Sequence, residues 1–431
     1  MQAMTILATM YLDAMKDSLF QRDDVGSEPW WQAVACRGTP LIEPTADGRY
    51  RLTFVWRDPE GLAGRSGTQR VWLNITGVTD HHQPGLPQSL RRLPGTDVWA
   101  WETELDGRWR GSYCLIPSGE PAPFEGEAQP DLQGIRLWWR SVFPLAQADR
   151  LNPRRAWQGG RGLAVSGVHL PEAPAQPAWT AFDADRSLAP TAWPSLQQYE
   201  WQSARLGNSR PVWVFATGNT TPLERPLAIL LDGQFWAQTM PVGAPLQQLT
   251  AAGQLPEAVY LLIDNSDRAL RSSELPCNPE FWLALQEELL PQVRDWAPHA
   301  QSSSTTVVAG QSFGGLAALY AALHWPERFG CALSQSGSFW WPQRGALGRL
   351  FEALASGQGS THPLRLFIEA GLREPAILEA SRALVPRLRE QGHVLDYREI
   401  DGGHDALWWR GGLLDGLVQL WRPRVAADAQ R

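Results

Sequence analysis

Apolar and polar positions follow two different patterns along the chain, and the change falls near residue 170. Before that point they alternate. Residues 49–56, 69–75, 97–103 and 109–116 each carry a period-2 pattern, with Gly and Pro between the runs. Successive side chains of a strand point to opposite faces, so this alternation marks strands with one buried face. Short strands at such spacing predict an immunoglobulin-like β-sandwich over residues 1–170. Residues 171–195 are rich in Pro and Ala and lack apolar periodicity, which reads as a linker. The apolar stretch within residues 1–20 is interrupted by Asp13, with no basic residues before it and no small-residue cleavage site after it. It predicts a short amphipathic helix rather than an export signal.

From residue 196 onward the grammar is different. Residues 198–201 and 212–215 read as paired strands, and 227–231, 258–263 and 305–309 are continuous apolar runs. Such runs suit strands covered on both faces. Residues 364–369 and 395–400 read as further strands, 279–293 and 376–391 as helices, and 315–323 as a helix of small residues. Strands alternating with helices predict a three-layer α/β domain with a mostly parallel sheet over 196–431.

Length and composition narrow the function classes. A chain of 431 residues exceeds what one core usually organises, in keeping with two domains. A net charge of −7 without long charge blocks excludes a bulk electrostatic pull on nucleic acid. Cys36, Cys114, Cys277 and Cys331 lack CxxC spacing, which argues against a disulfide framework or structural zinc and suits a reducing compartment. No segment approaches the ~20 apolar residues that span a bilayer. A soluble cytoplasmic protein without membrane or nucleic-acid partners is expected. The 23 tryptophans are read mainly as core, with a minority available to line a site for flat aromatic ligands.

Candidate chemistry begins at Gly310-Gln311-Ser312-Phe313-Gly314, a G-x-S-x-G match. An apolar strand leads into it and a helix leaves it, as in a nucleophile elbow, and this completes an α/β-hydrolase reading. Gly310 and Gly314 are read as letting strand and helix approach closely enough to expose the Ser312 hydroxyl at a sharp turn. A serine hydroxyl is a weak nucleophile at neutral pH and needs a base. His404, in Asp401-Gly402-Gly403-His404-Asp405 after the last strand, falls where the chain order nucleophile–acid–histidine places that base. Glu374, in the loop after strand 364–369, is the leading acid, against a surface pair with Arg373. Asp401 and Asp405 are alternatives, and a dyad without an acid stays open. An oxyanion hole needs two backbone N–H groups. Phe313 is expected to supply one and Gln234 the other, with Gly233 allowing the turn after strand 227–231.

At these residues the chain resembles the enterochelin (ferric-enterobactin) esterase family. Leu231-Asp232-Gly233-Gln234-Phe235-Trp236-Ala237-Gln238, Arg271-Ser272-Ser273-Glu274-Leu275-Pro276-Cys277-Asn278 and Ala309-Gly310-Gln311-Ser312-Phe313-Gly314-Gly315 are similar to that family's landmarks. So are Leu333-Ser334-Gln335-Ser336-Gly337-Ser338-Phe339-Trp340-Trp341-Pro342 and Asp401-Gly402-Gly403-His404-Asp405-Ala406-Leu407, while Arg110-Gly111-Ser112-Tyr113 resembles part of its first domain. The resemblance implies a cytoplasmic enzyme that hydrolyses a macrocyclic trilactone of catecholoyl-serine units to release iron. The iron belongs to the siderophore substrate, and no cofactor or protein metal site is implied. For that anionic, flat-faced complex, Arg271, Arg344, Arg373 and Arg410 are candidate anion contacts. Trp340, Trp341, Trp408 and Trp409 are candidate stacking surfaces. For Arg271 the competing reading is a pair with Glu274. Two rival functions remain at this point. One is a feruloyl or acetyl esterase on polysaccharide with a sugar-binding β domain, which predicts export. The other is a binding protein on a dead hydrolase fold, against which the intact Ser312 and His404 count.

Overall fold

The computed structural model describes residues 17–83, 85–120, 123–124, 131–159, 162–186, 193, 195–218, 222–344, 348–355 and 362–422. The helix expected within residues 1–20 lies mostly outside them. At its end, Ser18–Gln21 form one 3-10 turn capped by Asp17, which accepts from the Leu19 amide at 2.9 Å. The chain divides into two compact units. Met1–Leu188 and Asp401–Leu407 form the first, and Ala189–Ile400 and Trp408–Arg431 the second.

The first unit is built on eight strands: β1 (Leu41–Pro44), β2 (Arg49–Arg57), β3 (Arg70–Ile75), β4 (Gln88–Arg92), β5 (Val98–Asp106), β6 (Arg110–Ser118), β7 (Trp157–Gln158) and β8 (Ala164–His169). They run in the order β1-β2-β5-β4-β3-β6-β8-β7, with every pairing antiparallel. Phe54 of β2 and Tyr113 of β6 stand far apart in that order, yet their ring centroids are 4.9 Å apart in a T-shaped contact. Strands spaced about 4.8 Å apart in a flat sheet would hold them much farther apart, so the sheet curls around a shared core. Residues 171–186, expected as linker, carry the helix Thr180–Ala184 and a fully buried Trp179. A buried tryptophan ties the stretch to the first unit. Most of the largest buried side chains are likewise tryptophans, Trp30, Trp109, Trp139, Trp201, Trp236 and Trp282 among them, in keeping with the core reading.

The second unit carries β9 (Gln197–Ser203), β10 (Asn208–Ala216), β11 (Leu227–Leu230), β12 (Val259–Ile263), β13 (Thr306–Gln311), β14 (Cys331–Gln335), β15 (Arg365–Gly371) and β16 (Val394–Ile400). Their order is β16-β15-β14-β13-β11-β12-β10-β9. From β16 to β12 neighbours are parallel, and β10 and β9 complete the sheet as antiparallel strands. Every residue of β11, β12, β13 and β14 is buried, which explains the uninterrupted apolar sequences of β11 and β12 and the apolar stretches 307–309 and 331–333. The chain leaves β11 toward β12 on one side, and later strands are added on the other side beginning with β13. The boundary between β11 and β13 is therefore a topological switch point, where loops leaving the C-terminal strand ends diverge and open a crevice. Among the described residues no helix is long and apolar enough to cross a membrane.

Candidate active site

Ser312 sits between β13 and the helix Phe313–His324 with φ 59° and ψ −118°, a backbone region that non-glycine residues rarely enter. Local packing holds it there. Its amide donates to Gln335 O at 3.0 Å, and its carbonyl accepts from the amides of Leu316 at 3.1 Å and Ser338 at 3.0 Å. The glycines act unequally. A Cβ at Gly310 would lie 2.4 Å from the Gly314 carbonyl carbon, and one at Gly315 2.7 Å from Ser334 Oγ. At Gly314 it would meet nothing closer than 3.5 Å. Gly310 thus does what the sequence assigns to it, whereas the second tight site is Gly315 rather than Gly314. The Ser312 hydroxyl lies 3.4 Å from Ser338 Oγ. Ser338 was not singled out by sequence, although the small-residue cluster Ser334–Ser338 after an apolar strand is the signal that marks it.

Phe313 opens the helix, so its N–H belongs to the first turn and has no carbonyl to meet within the helix. On the other side of the switch point, Asp232 follows β11 with φ 55°. A Cβ at Gly233 would come within 2.3 Å of the Ile263 amide nitrogen, so only glycine fits beside the end of β12. The Gln234 side chain accepts from the Asn265 amide at 3.1 Å, while the Asn265 side chain accepts from the Asp232 amide at 3.0 Å. This pair of bonds fixes the loop. Arg271 closes it further by donating to both oxygens of Asp232 and, at 3.3 Å, to the carbonyl of Gln311. Glu274, the alternative partner considered for Arg271, is taken by Arg210 at 2.6 Å.

Glu374 lies in the loop after β15 and is 4% exposed. Its Oε2 accepts from the Ser336 hydroxyl at 2.7 Å and from the Gly371 amide at 3.0 Å. Ser336, itself at φ 49°, accepts from Trp409 Nε1 at 3.0 Å. Glu369, a few residues earlier, is spent elsewhere. It is buried between Gln335 Nε2 at 2.9 Å and Arg398 Nε at 2.6 Å, and burial pushes its carboxyl up despite the Arg398 charge.

The segment Asp401–Leu407 groups with the first unit, and His404 is described there. Its ring lies 5.3 Å from that of His82. Asp80 is buried nearby, and burial pushes its carboxyl up to about 6, while its bonds to the Gly77 and His82 amides, the His404 charge and Gln83 pull it back. Asp405 accepts at Oδ2 from the Ser112 amide at 2.6 Å and hydroxyl at 2.7 Å, and at Oδ1 from the Leu407 amide at 2.8 Å. Asp401 sits near Arg108 and favours its charged form. Asp80, His81 and His82 bring ligand-type atoms within 4.8 Å of one another, the one such group among the described residues. The Asp80 carboxylate also accepts from the His82 amide at 3.2 Å.

The candidate substrate contacts separate into two groups. Arg344 is exposed and stacks over Trp340 at 4.7 Å, and Trp340 in turn lies 6.2 Å from Phe313, next to the nucleophile. Trp341 is half-buried under Arg349 at 4.9 Å, a cation that sequence did not single out. Arg373 is half-buried beside Glu374. By contrast Trp408 and Arg410 are buried and offer no surface to a ligand, and the Trp409 indole is committed to Ser336.

Residues 51–179 match the family model described as enterochelin esterase, N-terminal, and residues 203–420 match the one described as putative esterase. The chain is 52% identical over 401 residues to the iron(III) enterobactin esterase of Escherichia coli strain K12, covering 93% of this chain and 97% of that one. The crystal structure of the ferric enterobactin esterase from Salmonella typhimurium superposes with a TM-score of 0.85 at 51% identity, covering 92% of this chain and 98% of that one. The esterase from Shigella flexneri, solved in the presence of enterobactin, gives 0.83 at 52% identity with the same coverage. Two matched domains in the right order and half the residues identical over nearly the whole length leave one conclusion: the chain belongs to the enterochelin, or iron(III) enterobactin, esterase family.

Proposed function

We propose that this protein is a serine esterase that hydrolyses the ester bonds of iron(III) enterobactin, a ferric catecholate trilactone, through an acyl-enzyme on Ser312. The observation that carries the reading is the strained Ser312 elbow, set beside the switch point of a chain that shares half its residues with enterobactin esterases. The Ser312 oxygen attacks an ester carbonyl while His404 takes its proton. The N–H groups of Phe313 and Gln234 receive the negative charge that develops on the carbonyl oxygen, with Gly233 permitting the turn. Collapse expels the seryl hydroxyl of the ring, which recovers the proton from His404. Water then enters by the same steps in reverse and frees Ser312. Glu374 is the acid that steadies the imidazolium. Chain order supports these roles, since the three residues follow β13, β15 and β16 in the sequence nucleophile, acid, histidine.

Acyl transfer of this kind balances without a resident cofactor or metal, and the iron enters and leaves with the substrate. Arg344 on Trp340, with Trp341 and Arg373, supplies cation and ring surfaces suited to a flat anionic catecholate complex. Trp408 and Arg271 serve the frame around it. Four free thiols, Cys36 exposed among them, fit a cytoplasmic setting, and neither nucleic acid nor a membrane is a partner in this reading. The curled first-unit sheet is read as sandwich-like, and the second unit as a three-layer α/β hydrolase. Incubation with the ferric trilactone and analysis of products by mass spectrometry tests the proposal. The linear trimer and its shorter fragments are expected from the parent, and Ser312→Ala should lower turnover by on the order of 10⁶. A Ser312→Ala variant of near-parental rate, or faster turnover of a feruloyl ester than of the trilactone, overturns it.

A further inference from the structure

We propose that Ser112, on β6 of the first unit, is a positioning residue for the reaction, because it holds Asp405 and so fixes the backbone that carries His404. The inference rests on the reading of His404 as the base and extends it to the strand of the first unit that holds the histidine segment.

The histidine segment is fastened on both sides of the imidazole. On its C-terminal side, Ser112 presents its amide and hydroxyl to one oxygen of Asp405, at 2.6 and 2.7 Å, while the Leu407 amide takes the other at 2.8 Å. Hydrogen bonds to an ionised acceptor are about twice as strong as neutral ones, and here they are sealed from water, Asp405 being 2% exposed. The Leu407 carbonyl accepts from Gln176 Nε2 at 2.7 Å. On the N-terminal side, Gly403 lies against backbone, since a Cβ there would be 2.7 Å from the Cα and nitrogen of Gly77. Gly77 and Ser112 are joined in turn. The Thr76 amide donates to Ser112 O at 2.9 Å, and the Thr76 and Ser112 hydroxyls are 3.1 Å apart. Ser112 is the residue through which strand β6, the 76–77 turn and the histidine segment all connect. With its oxygens accepting from Ser112 and the Leu407 main chain, Asp405 serves in this proposal as the anchor of the segment. His82 and Asp80 are titratable groups that face His404 from this unit.

The test uses the full-length protein with Ser112→Ala, Ser112→Thr, Asp405→Asn, the Ser112→Ala/Asp405→Asn double variant and His404→Ala. The assays are the ferric trilactone, a small activated ester and the rate of labelling of Ser312 by a fluorophosphonate. An imidazole displaced by about 1 Å costs on the order of 10²-fold, so Ser112→Ala should lower kcat by about 10–100-fold on both esters and slow labelling in parallel. KM should stay within about twofold, because the substrate surface is not touched. Ser112→Thr, which keeps the hydroxyl, should recover most of the rate. The double variant should lose no more than the worse single one, since both cut the same link. Asp405→Asn should leave the midpoint of the pH–rate profile in place, which loss of a triad acid would not. Parental kcat in Ser112→Ala with His404→Ala inactive overturns the positioning role and leaves the base intact. An active His404→Ala overturns the base itself. Loss through KM alone, or a melting temperature below the assay temperature in Ser112→Ala together with full activity in Asp405→Asn, also overturns the proposal.

Discussion

The Arg271 guanidinium lies flat against the Asp232 carboxylate, Nε to Oδ1 at 2.6 Å and Nη2 to Oδ2 at 2.8 Å. Asp232 holds a left-handed backbone one residue before Gly233, and the same guanidinium reaches the carbonyl that precedes Ser312. One arginine thus joins the two loops expected to bear the oxyanion donors. Arg271→Ala leaves a largely buried carboxylate unpaired, and a loss of about 3 kcal/mol in unfolding free energy is expected. The rate should fall through kcat by about 10–100-fold, with KM nearly unchanged, because the donors move relative to the developing charge. Lysine cannot reproduce the two-pronged contact, so Arg271→Lys should recover little. A rise in KM alone would instead make Arg271 a substrate contact.

Glu374 is held by Ser336, and Ser336 by Trp409. If this carboxylate steadies the imidazolium, Glu374→Gln should lower kcat by about 10²–10⁴-fold with little change in KM. Ser336→Ala removes only one of its donors, so a milder loss of about tenfold is expected. Steady-state kinetics of both variants beside Asp401→Asn decide the matter. A loss confined to Asp401→Asn would move the acid there.

Strands β2, β3, β5 and β6 and, in the second unit, every strand but β14 were legible because each carries its period in its sequence, down to the wholly apolar β11 and β12. By contrast β1, β4, β7, β8 and β14 are too short or too mixed in polarity to stand out. The elbow was legible because Gly310, Ser312 and their strand and helix are contiguous. What sequence left open involves partners distant in the chain. Arg271 has acidic neighbours close in sequence, and the bond it makes is to Asp232 on another loop. The Trp408 and Trp409 pair reads as aromatic surface, but a helix turns one indole inward and the other onto Ser336. Ser112 and Asp405 are 293 residues apart, and no local pattern joins them.

That distance changes what a truncated protein should do. Residues 196–431 contain Ser312, Glu374 and His404, and by sequence alone they form a self-sufficient catalytic half. The structure anchors the histidine segment on Gly77, Ser112 and Gln176 of the first unit. A fragment covering 196–431 should therefore lose more than about 10²-fold in kcat on a small activated ester as well as on the trilactone. Parallel assays of a soluble fragment and the whole protein check this. Selective loss on the trilactone alone would mean that the first unit serves substrate recognition and not the histidine.

Asp80 offers a test of the same region that reads stability instead of rate. Burial raises its carboxyl from 3.8 to about 6 in the folded protein. The folded state then binds the proton more tightly than the unfolded chain, so the group contributes stability below about pH 4 and loses that contribution as the pH rises through about 6. The difference of 6 − 3.8 amounts to about 3 kcal/mol against the folded state at neutral pH, at 1.36 kcal/mol per unit. Asp80→Asn keeps a side-chain oxygen to accept from the His82 amide and removes the charge. The variant should be close to the parent in stability at pH 4 and should gain on it steadily up to pH 7. Melting temperatures of both proteins measured across that range supply the comparison. A difference that stays flat with pH would mean that Asp80 ionises as freely in the folded protein as in the unfolded chain, and that its burial carries no electrostatic strain.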